Sequence, residues 1–535
     1  MIKTIILLLF VCSSNLFPQF DTSWVRTLSG SSNGFDQARC TAIDNAGNIF
    51  ACGTIVNIGT GTDIIVVKYS PTGDLLWSKT YNGSLNAFDL PNALKIDNFG
   101  NVYLTGMASF TDSGGDIVTI KYTSTGDTAW VRRYNGSQNI GDEASSISLD
   151  SLGNVYVGGY STNTGNGSDA TLLKYNSSGV LLFAKTINSG LSQVDNCLDI
   201  NIDNLFNIYM AGYSGSTNGG NDFWVAKLNL NGDTLWTKTF NGSANASDFA
   251  KKIRVDNSGN IYAVGYLSNI STDADIFAVK INSSGVLQWS KTYNGPGNDT
   301  DEPNDMAVDN DQNVYITGRT TVTGANTDII TMKLAPTGDT SWVRIFGGSS
   351  NVNDVGNAIL VDSDGYVYSG GGIVNANTDM ILLKYNSSGT NEASFTYDRG
   401  DYDQINSLCK NNTNEIIAAG VLNLSSIDFA VVKLNQNITG LVQFGHIPTI
   451  FTLFQNFPNP FNPVTKIRFD IPNSSNIKLT IYDVLGGEIE TLVNQQLNAG
   501  SYETEWNASG FSSGVYFCKL SADDYSTIKK MTLLK

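Results

Sequence analysis

Aspartate recurs at Asp36, Asp89, Asp142, Asp195, Asp248, Asp301 and Asp354, always 53 residues apart. Carboxylates gathered at one mouth of a ring could hold a divalent cation, and Ca²⁺ would suit such an all-oxygen ligand set. An Asp just ahead of an apolar segment also caps turns by accepting backbone N–H bonds. Both readings stand at this level. Loops of the form Asp97-Asn98-Phe99-Gly100-Asn101 carry the same choice, since they lack the further spaced acidic ligands of an EF-hand.

Catalytic chemistry is narrowed by what the chain contains. Its one histidine, His446, lies in a Pro-containing stretch beyond the repeats. A Ser/His/Asp triad or Cys/His pair would have to recruit that residue, and a multi-His zinc site is excluded. A carboxylate pair of the glycosidase kind remains, with Asp299, Asp301, Glu302 and Asp305 as the acidic group to watch. A catalytic pair would break a repeat at one or two copies, whereas the Asp column keeps it, so the column points to architecture. The repeated Lys68, Lys121, Lys174, Lys227, Lys280, Lys333, Lys384 and Lys433 are expected to pair with carboxylates of neighbouring repeat units or to snorkel outward. If Asp44 and Asn48 close a hairpin, Cys40 faces Cys52, and an exported chain could oxidise that pair or keep two thiols.

The elements that must position these groups follow from the period. Trp24, Trp77, Trp130, Phe183, Trp236, Trp289, Trp342 and Phe395 keep the 53-residue step, as do Asn48, Asn101, Asn154, Asn207, Asn260 and Asn313. One unit reads as four strands, over 93–97, 102–106, 117–122 and 128–134, with Gly100 at the left-handed position of a short hairpin loop. The third strand is apolar on consecutive positions, as a sheet covered on both faces requires. Four strands and about 50 residues per unit fit a propeller blade better than a sandwich domain or a leucine-rich solenoid. The fold class is therefore all-β, a propeller of eight blades with seven as the alternative, followed by a small Ig-like sandwich. The fourth-strand pattern Asp21-Thr22-Ser23-Trp24-Val25-Arg26 has no blade of its own, so it is expected to pair with the last set and close the ring.

Composition agrees. Charged residues make up 15% of the chain, and a net charge of −17 disfavours nucleic acid and anionic lipid as partners. Met1-Ile2-Lys3, the apolar run Ile5 to Val11 and polar Ser13-Ser14-Asn15 read as a signal peptide over 1–19, and no later run is long enough for a transmembrane helix.

Ile96-Asp97-x-x-Gly100-Asn101-Val102-Tyr103-x-Thr105-Gly106 and its copies resemble the SBBP-type bacterial β-propeller repeat, over about residues 20–438. The resemblance implies seven blades and no particular ligand or reaction. After a linker at 439–452, residues 453–535 resemble the type A C-terminal sorting domain of the type IX secretion system. The matching pieces are Phe457-Pro458-Asn459-Pro460-Phe461-Asn462, Ile481-Tyr482-Asp483 with Gly486, Gly500-x-Tyr502, Trp506, Gly514-Val515-Tyr516-Phe517 and the stretch from Lys529 to Lys535. Gly487 departs from that pattern, in which a basic residue or Gln often follows the first Gly. The resemblance implies the secretion machinery as a partner, export across the outer membrane, and a released or surface-attached product. The expected function is a binding, adhesion or structural module for a glycan or surface protein. An extracellular polysaccharide hydrolase or lyase working through a carboxylate pair is the alternative.

Overall fold

The computed structural model describes residues 20–535 except 33, 164–166, 191–192, 218, 323–325, 349–351, 412–414, 424–425, 437–441, 445–447, 498 and 523–524. Residues 1–19, read above as a signal peptide, and His446 lie outside the described residues. The chain divides into a unit of Thr22–Asn435 and a second unit that includes Gln436–Lys535. The named elements of both are strands, and no helix among the described residues is long and apolar enough to cross a membrane.

Among the described residues the larger unit forms eight four-stranded antiparallel sheets, consistent with a β-propeller. In the first sheet, Gln37–Ile43, Ile49–Asn57, Gly61–Tyr69 and Leu75–Tyr81 pair in chain order, from the innermost strand to the rim. The second to seventh sheets repeat this order over 90–134, 143–187, 196–240, 249–293, 301–346 and 355–397. The eighth departs from it. Gln404–Lys410, Glu415–Asn423 and Ile427–Gln436 form its inner three strands, and Phe20–Leu28 from the other end of the chain supplies the rim strand. That pairing hides the open edge that a linear array would leave.

The cores lie between sheets. Phe50, Cys52, Ile64 and Val66 of the first sheet share a cluster with Leu94, Val102, Leu104, Val118 and Ile120 of the second. Ile417, Ala419, Phe429 and Val431 of the eighth do the same with Ile49, Ala51, Ile65 and Val67 of the first. Third strands are thus covered on both faces, which explains their unbroken apolar runs. The 53-residue columns are inter-sheet contacts as well. Trp77 Nε1 donates to Ser124 O of the next sheet at 3.2 Å, and its ring lies against Gly126, whose φ is +89°. A Cβ there would fall 2.8 Å from the indole, so this Gly is needed both for its dihedral and for its lack of a side chain. Trp24, Trp130 and Trp342 repeat the arrangement over Gly73, Gly179 and Gly389.

The smaller unit is a β-sandwich. One sheet orders Val442–Phe444, Gly500–Asn507, Val464–Ile471 and Thr452–Leu453; the other orders Glu488–Leu497, Ser475–Tyr482, Gly514–Ala522 and Tyr525–Leu533. Phe461, Phe469, Ile481, Trp506, Leu520 and Met531 share its core.

Candidate functional site

The Asp column ends at the innermost strands and ties consecutive sheets together. Asp89, fully buried, accepts Gly83 N at 2.6 Å from the preceding connection and Ser109 N at 2.7 Å from its own sheet. Its own N–H donates to Thr62 O of the first sheet at 2.8 Å. Asp142 takes Gly136 N and Thr162 N at 2.6 and 2.7 Å, and Asp36, Asp248 and Asp354 hold corresponding pairs. Asp195 holds Ser189 and Gly215, and Asp301 holds Gly295 and Thr321. The eighth sheet has the same clasp in Asp403, off the 53-residue step, which sequence spacing alone missed. Burial pushes Asp36, Asp89, Asp142, Asp301, Asp354 and Asp403 above the usual carboxylate range against the pull of these N–H groups, and pushes Asp248 up to about 6. Among the described residues no three His, Cys, Asp or Glu side chains are grouped as a metal ion would require.

The Asp97-type loops are likewise filled by the chain. Asp97 Oδ1 accepts Phe99 N and Asn101 N, both at 2.9 Å, and Oδ2 accepts Asn101 Nδ2 at 2.8 Å and Tyr103 Oη at 3.1 Å. The Lys column corrects the expectation of neighbouring carboxylates. Lys121, Lys174 and Lys227 donate to the backbone carbonyls of Ser177, Leu230 and Ser283 in the next sheet. Each ammonium also sits over a Tyr ring of its own sheet, at 4.8–5.4 Å. In these three copies a carbonyl and an aromatic face replace the counter-ion, whereas Lys433 pairs with Glu415 of its own sheet at 2.7 Å and Lys68 lies 3.9 Å from Asp44 of its own sheet.

The inner ring is built differently. Each innermost strand carries a β-bulge at the same place, whose extra residue is Arg39, Asn92, Ser145, Leu198, Lys251, Asn304, Asn357 or Asn406. A bulge re-aims the side chain. Asn92, Asn304, Asn357 and Asn406 use this to donate to carbonyls of the next sheet, at 2.8–3.0 Å. The acidic group expected to carry a hydrolytic pair is distributed otherwise. Asp299 is exposed, Asp301 is a clasp, and Glu302 pairs with Lys251 at 3.1 Å and Arg319 at 3.2 Å. Asp305 lies 3.6 Å from Arg254 and accepts Ile359 N at 3.0 Å. Burial works to raise the Glu302 carboxyl, but Lys251 and Arg319 outweigh it and hold the group below its usual range.

Cys40 and Cys52 stand opposite each other in the first hairpin, and both are free thiols, as are Cys197, Cys409 and Cys518. Cys52 hydrogen-bonds Cys40, which holds the Cys40 thiol below its ordinary value and pushes Cys52 well up.

On the face carrying the clasps, a cavity of about 390 Å³ opens between the third and fourth sheets. Asn188, Ser189, Tyr213, Ser216, Thr217 and Asp222 are among its lining residues. The buried Oδ1 of Asp222 has no hydrogen-bond partner. Asp195 and Asp222 keep the 53-residue step, and the unpartnered Oδ1 recurs at Asp63 and Asp275, so the repeat itself reaches this place, while the cavity around it does not show in the sequence.

In the sandwich, the motif pieces converge on the last strand. Phe461 N donates to Thr532 O at 3.0 Å, and Phe461 O accepts Leu534 N at 2.9 Å; Asn459 Oδ1 accepts Thr532 N at 2.9 Å. Pro458 O accepts Thr465 Oγ1 at 2.8 Å, and the peptide bonds before Pro458 and Pro460 are cis. Asp483, following Tyr482, caps its hairpin through Leu485 N and Gly487 N, both at 2.8 Å, with Gly486 at a φ of +81°. The backbone of Gly487 thus supplies the turn chemistry at the position that departs from the family pattern. Gly500 and Gly514 begin strands facing Ile471 and Leu533. Tyr516 Oη donates to Ser512 O at 2.7 Å, and Lys535 Nζ to Ser509 O at 2.6 Å.

The secretion system C-terminal sorting domain model matches residues 455–533, and the SBBP β-propeller repeat model matches 129–165 and 288–324. The chain carries SBBP-type propeller repeats and a type IX sorting domain. The sorting domain implies export, to the cell surface or beyond it, through type IX secretion machinery. The SBBP matches fall on copies of the same rim strand, hairpin and inner-strand sequence. No curated protein matches the chain. Among solved structures the chain is similar to PorZ, a surface component of the type IX secretion system of Porphyromonas gingivalis, with 11% identity over 96% of this chain and 100% of that one, at a TM-score of 0.26. An ancestral GH74 enzyme is similar over 92% of this chain and 72% of its own, with 11% identity and a TM-score of 0.31.

Proposed function

We propose that the mature chain is an extracellular capture or adhesion module, an eight-bladed propeller that takes a glycan or surface-protein ligand on the face carrying the clasps. The domain limits on this reading are a signal peptide at 1–19, the propeller at 20–438, a linker at 439–452 and a sorting domain at 453–535. The observation that carries the reading is the cavity between the third and fourth sheets, where alcohols, amides, the Tyr213 ring and the unpartnered Asp222 Oδ1 offer a sugar or peptide both donors and acceptors. The pairing of Glu302 and Asp305 with cations leaves the acidic group without a free carboxylate couple, which favours binding over hydrolysis. The Asp column is a set of structural clasps on this reading, with its oxygens taken by backbone N–H groups rather than Ca²⁺.

A glycan and extracellular-polymer array probed with the full secreted chain, with Ca²⁺ and with chelator and with products monitored, tests all three points. Saturable binding, lost in Tyr213→Ala and Asp222→Asn and indifferent to chelator, is the expected result. Turnover of any polymer establishes the hydrolase or lyase alternative, and loss of binding in chelator restores the cation reading.

A further inference from the structure

The inner ring holds charges that the repeat does not require. Across the eight copies, one position of the innermost strand reads Cys40, Ala93, Ser146, Asp199, Lys252, Asp305, Ala358 and Ser407. Where this residue is Ser146, Asp199, Asp305 or Ser407, it accepts a backbone N–H from the next sheet, at Ile200, Ile253, Ile359 and Thr41. Lys252 occupies the same position and has no lone pair to offer as an ammonium. Two residues further along stand Lys95 in the second sheet and Arg254 in the fifth, where other copies have Ala42, Ser148, Asn201, Ala307, Leu360 and Cys409. Arg39, the bulge residue of the first sheet, is a fourth cation.

These groups face one another across the channel. Burial and the repulsion of Arg254 and Lys252 hold the Lys95 ammonium below its ordinary value, and Lys95, Lys252 and Arg39 all act on the Cys40 thiol. The carboxylates present are already engaged. Asp199 binds Arg254 at 2.9 Å while accepting Ser146 Oγ and Ile253 N, and Asp305 is the second partner of Arg254. Arg39 donates only to the neutral Asn92 Oδ1, at 3.1 Å. Neither Lys95 nor Lys252 has a hydrogen bond or ion pair with any described residue. Four cations, Arg39, Lys95, Lys252 and Arg254, stand around two carboxylates, Asp199 and Asp305, and Asp199 attracts Lys95 and Lys252 as well as Arg254, so this part of the ring keeps an excess of positive charge in a chain of net charge −17.

We propose that Arg39, Lys95 and Lys252 form an anion-binding well in the central channel, built for a multiply charged oxyanion such as a sulfate or phosphate group. The well is separate from the cavity between the third and fourth sheets and stands or falls independently of it. Its positive walls are focused by the low-dielectric strands around them, so an anion gains more there than at the surface. The oxyanion can arrive as a free ion or as an ester on an extracellular polymer.

Calorimetric titration of the full secreted chain with inorganic sulfate, inorganic phosphate and a sulfated disaccharide decides it. Saturable binding that weakens with added NaCl is expected, and tighter binding of the sulfated sugar than of either free ion identifies a polymer ester as the source. Lys95→Gln with Lys252→Gln should weaken binding by about tenfold for each cation removed. The same double variant, free of ligand, should melt at the same or a higher temperature than the parent, because like-charge repulsion is relieved. Lys238→Gln, on an exposed rim strand, should change neither quantity. Absence of saturable binding for all three probes overturns the proposal, and so does equal weakening by Lys238→Gln. A lower melting temperature with binding retained in the double variant also overturns it, since the cations would then be structural.

Discussion

The rim of the propeller unit and its inner ring are made by the same repeat and treat it in opposite ways. At the rim, Trp77, Trp130 and Trp342 make one contact in copy after copy, an indole N–H to the next sheet's turn and a ring against its Gly. Along the innermost strands, equivalent positions hold Asn92, Leu198 and Lys251, or Cys40, Asp199 and Lys252. The rim contact and the Asp clasp recur because each junction is built the same way, whereas the inner-strand links of Asn92, Asn304, Asn357 and Asn406 are made at only some junctions. A residue that faces the channel is not held to that pattern, and there the copies have diverged. Periodic positions therefore report architecture, and breaks in the period report what this particular ring does.

The comparison is broken most severely at a clasp. Asp142→Ala leaves Gly136 N and Thr162 N buried without acceptors, and two lost charge-assisted hydrogen bonds should destabilise the propeller transition by about 3 kcal/mol in urea. A loss below about 1 kcal/mol, within the ordinary range for surface substitutions, would mean that the clasps are ornaments of a ring held by its apolar cores.

The second test uses pH to separate clasps from channel pairs. Asp248, with a folded pKa raised to about 6 from 3.8, binds its proton more tightly folded than unfolded. Stability should therefore increase as pH falls from 7 through 6 towards 4, by at most about 3 kcal/mol for this group. Asp36, Asp89, Asp142, Asp301, Asp354 and Asp403, whose carboxyls are raised as well, should act in the same direction. Asp199 and Glu302 are held below their ordinary values against the opposing effect of burial, so their contribution is lost only at still lower pH. A melting temperature that stays level or falls from pH 7 to pH 4 would show that burial does not raise the clasp carboxyls in this way.

The sequence pattern exposes the strands, the turns and the inter-sheet columns because each rests on local chemistry repeated many times: Gly where φ must be positive, Asp where N–H groups need an acceptor, apolar runs where both faces are covered. It also exposes the closing strand, since Trp24 without a blade of its own needs a partner. It leaves open the fate of the Asp column, because a cap and a cation ligand require the same residue, and only the positions of Gly83 N and Ser109 N distinguish them at Asp89. The Lys column is harder to read, because at Lys121, Lys174 and Lys227 the partners are carbonyls and rings, which leave no complementary charge in the sequence. The channel cations escape a periodic reading altogether, since Lys95 and Lys252 come together only when the second and fifth sheets face the same axis.

The smallest expected effect concerns the first sheet's hairpin, where a thiol of the inner ring faces a thiol of the inter-sheet core. Cys40 lies in the inner ring among Arg39, Lys95 and Lys252, whereas Cys52, its partner in register, is fully buried in the inter-sheet core. The hydrogen bond from Cys52 and the nearby cations favour the Cys40 thiolate, and burial disfavours those of Cys52, Cys197 and Cys518. Cys40 should therefore be the first thiol alkylated by iodoacetamide in the native chain, as read by peptide mass spectrometry. Mild oxidation should convert the Cys40 and Cys52 pair to a disulfide before any other pair of described cysteines, because no other two of them share a register. If Cys197 or Cys518 reacts as fast as Cys40, the channel does not bias its thiol. The electrostatic contrast between core and channel, on which the anion-binding well also depends, would then be weaker than the arrangement of cations implies.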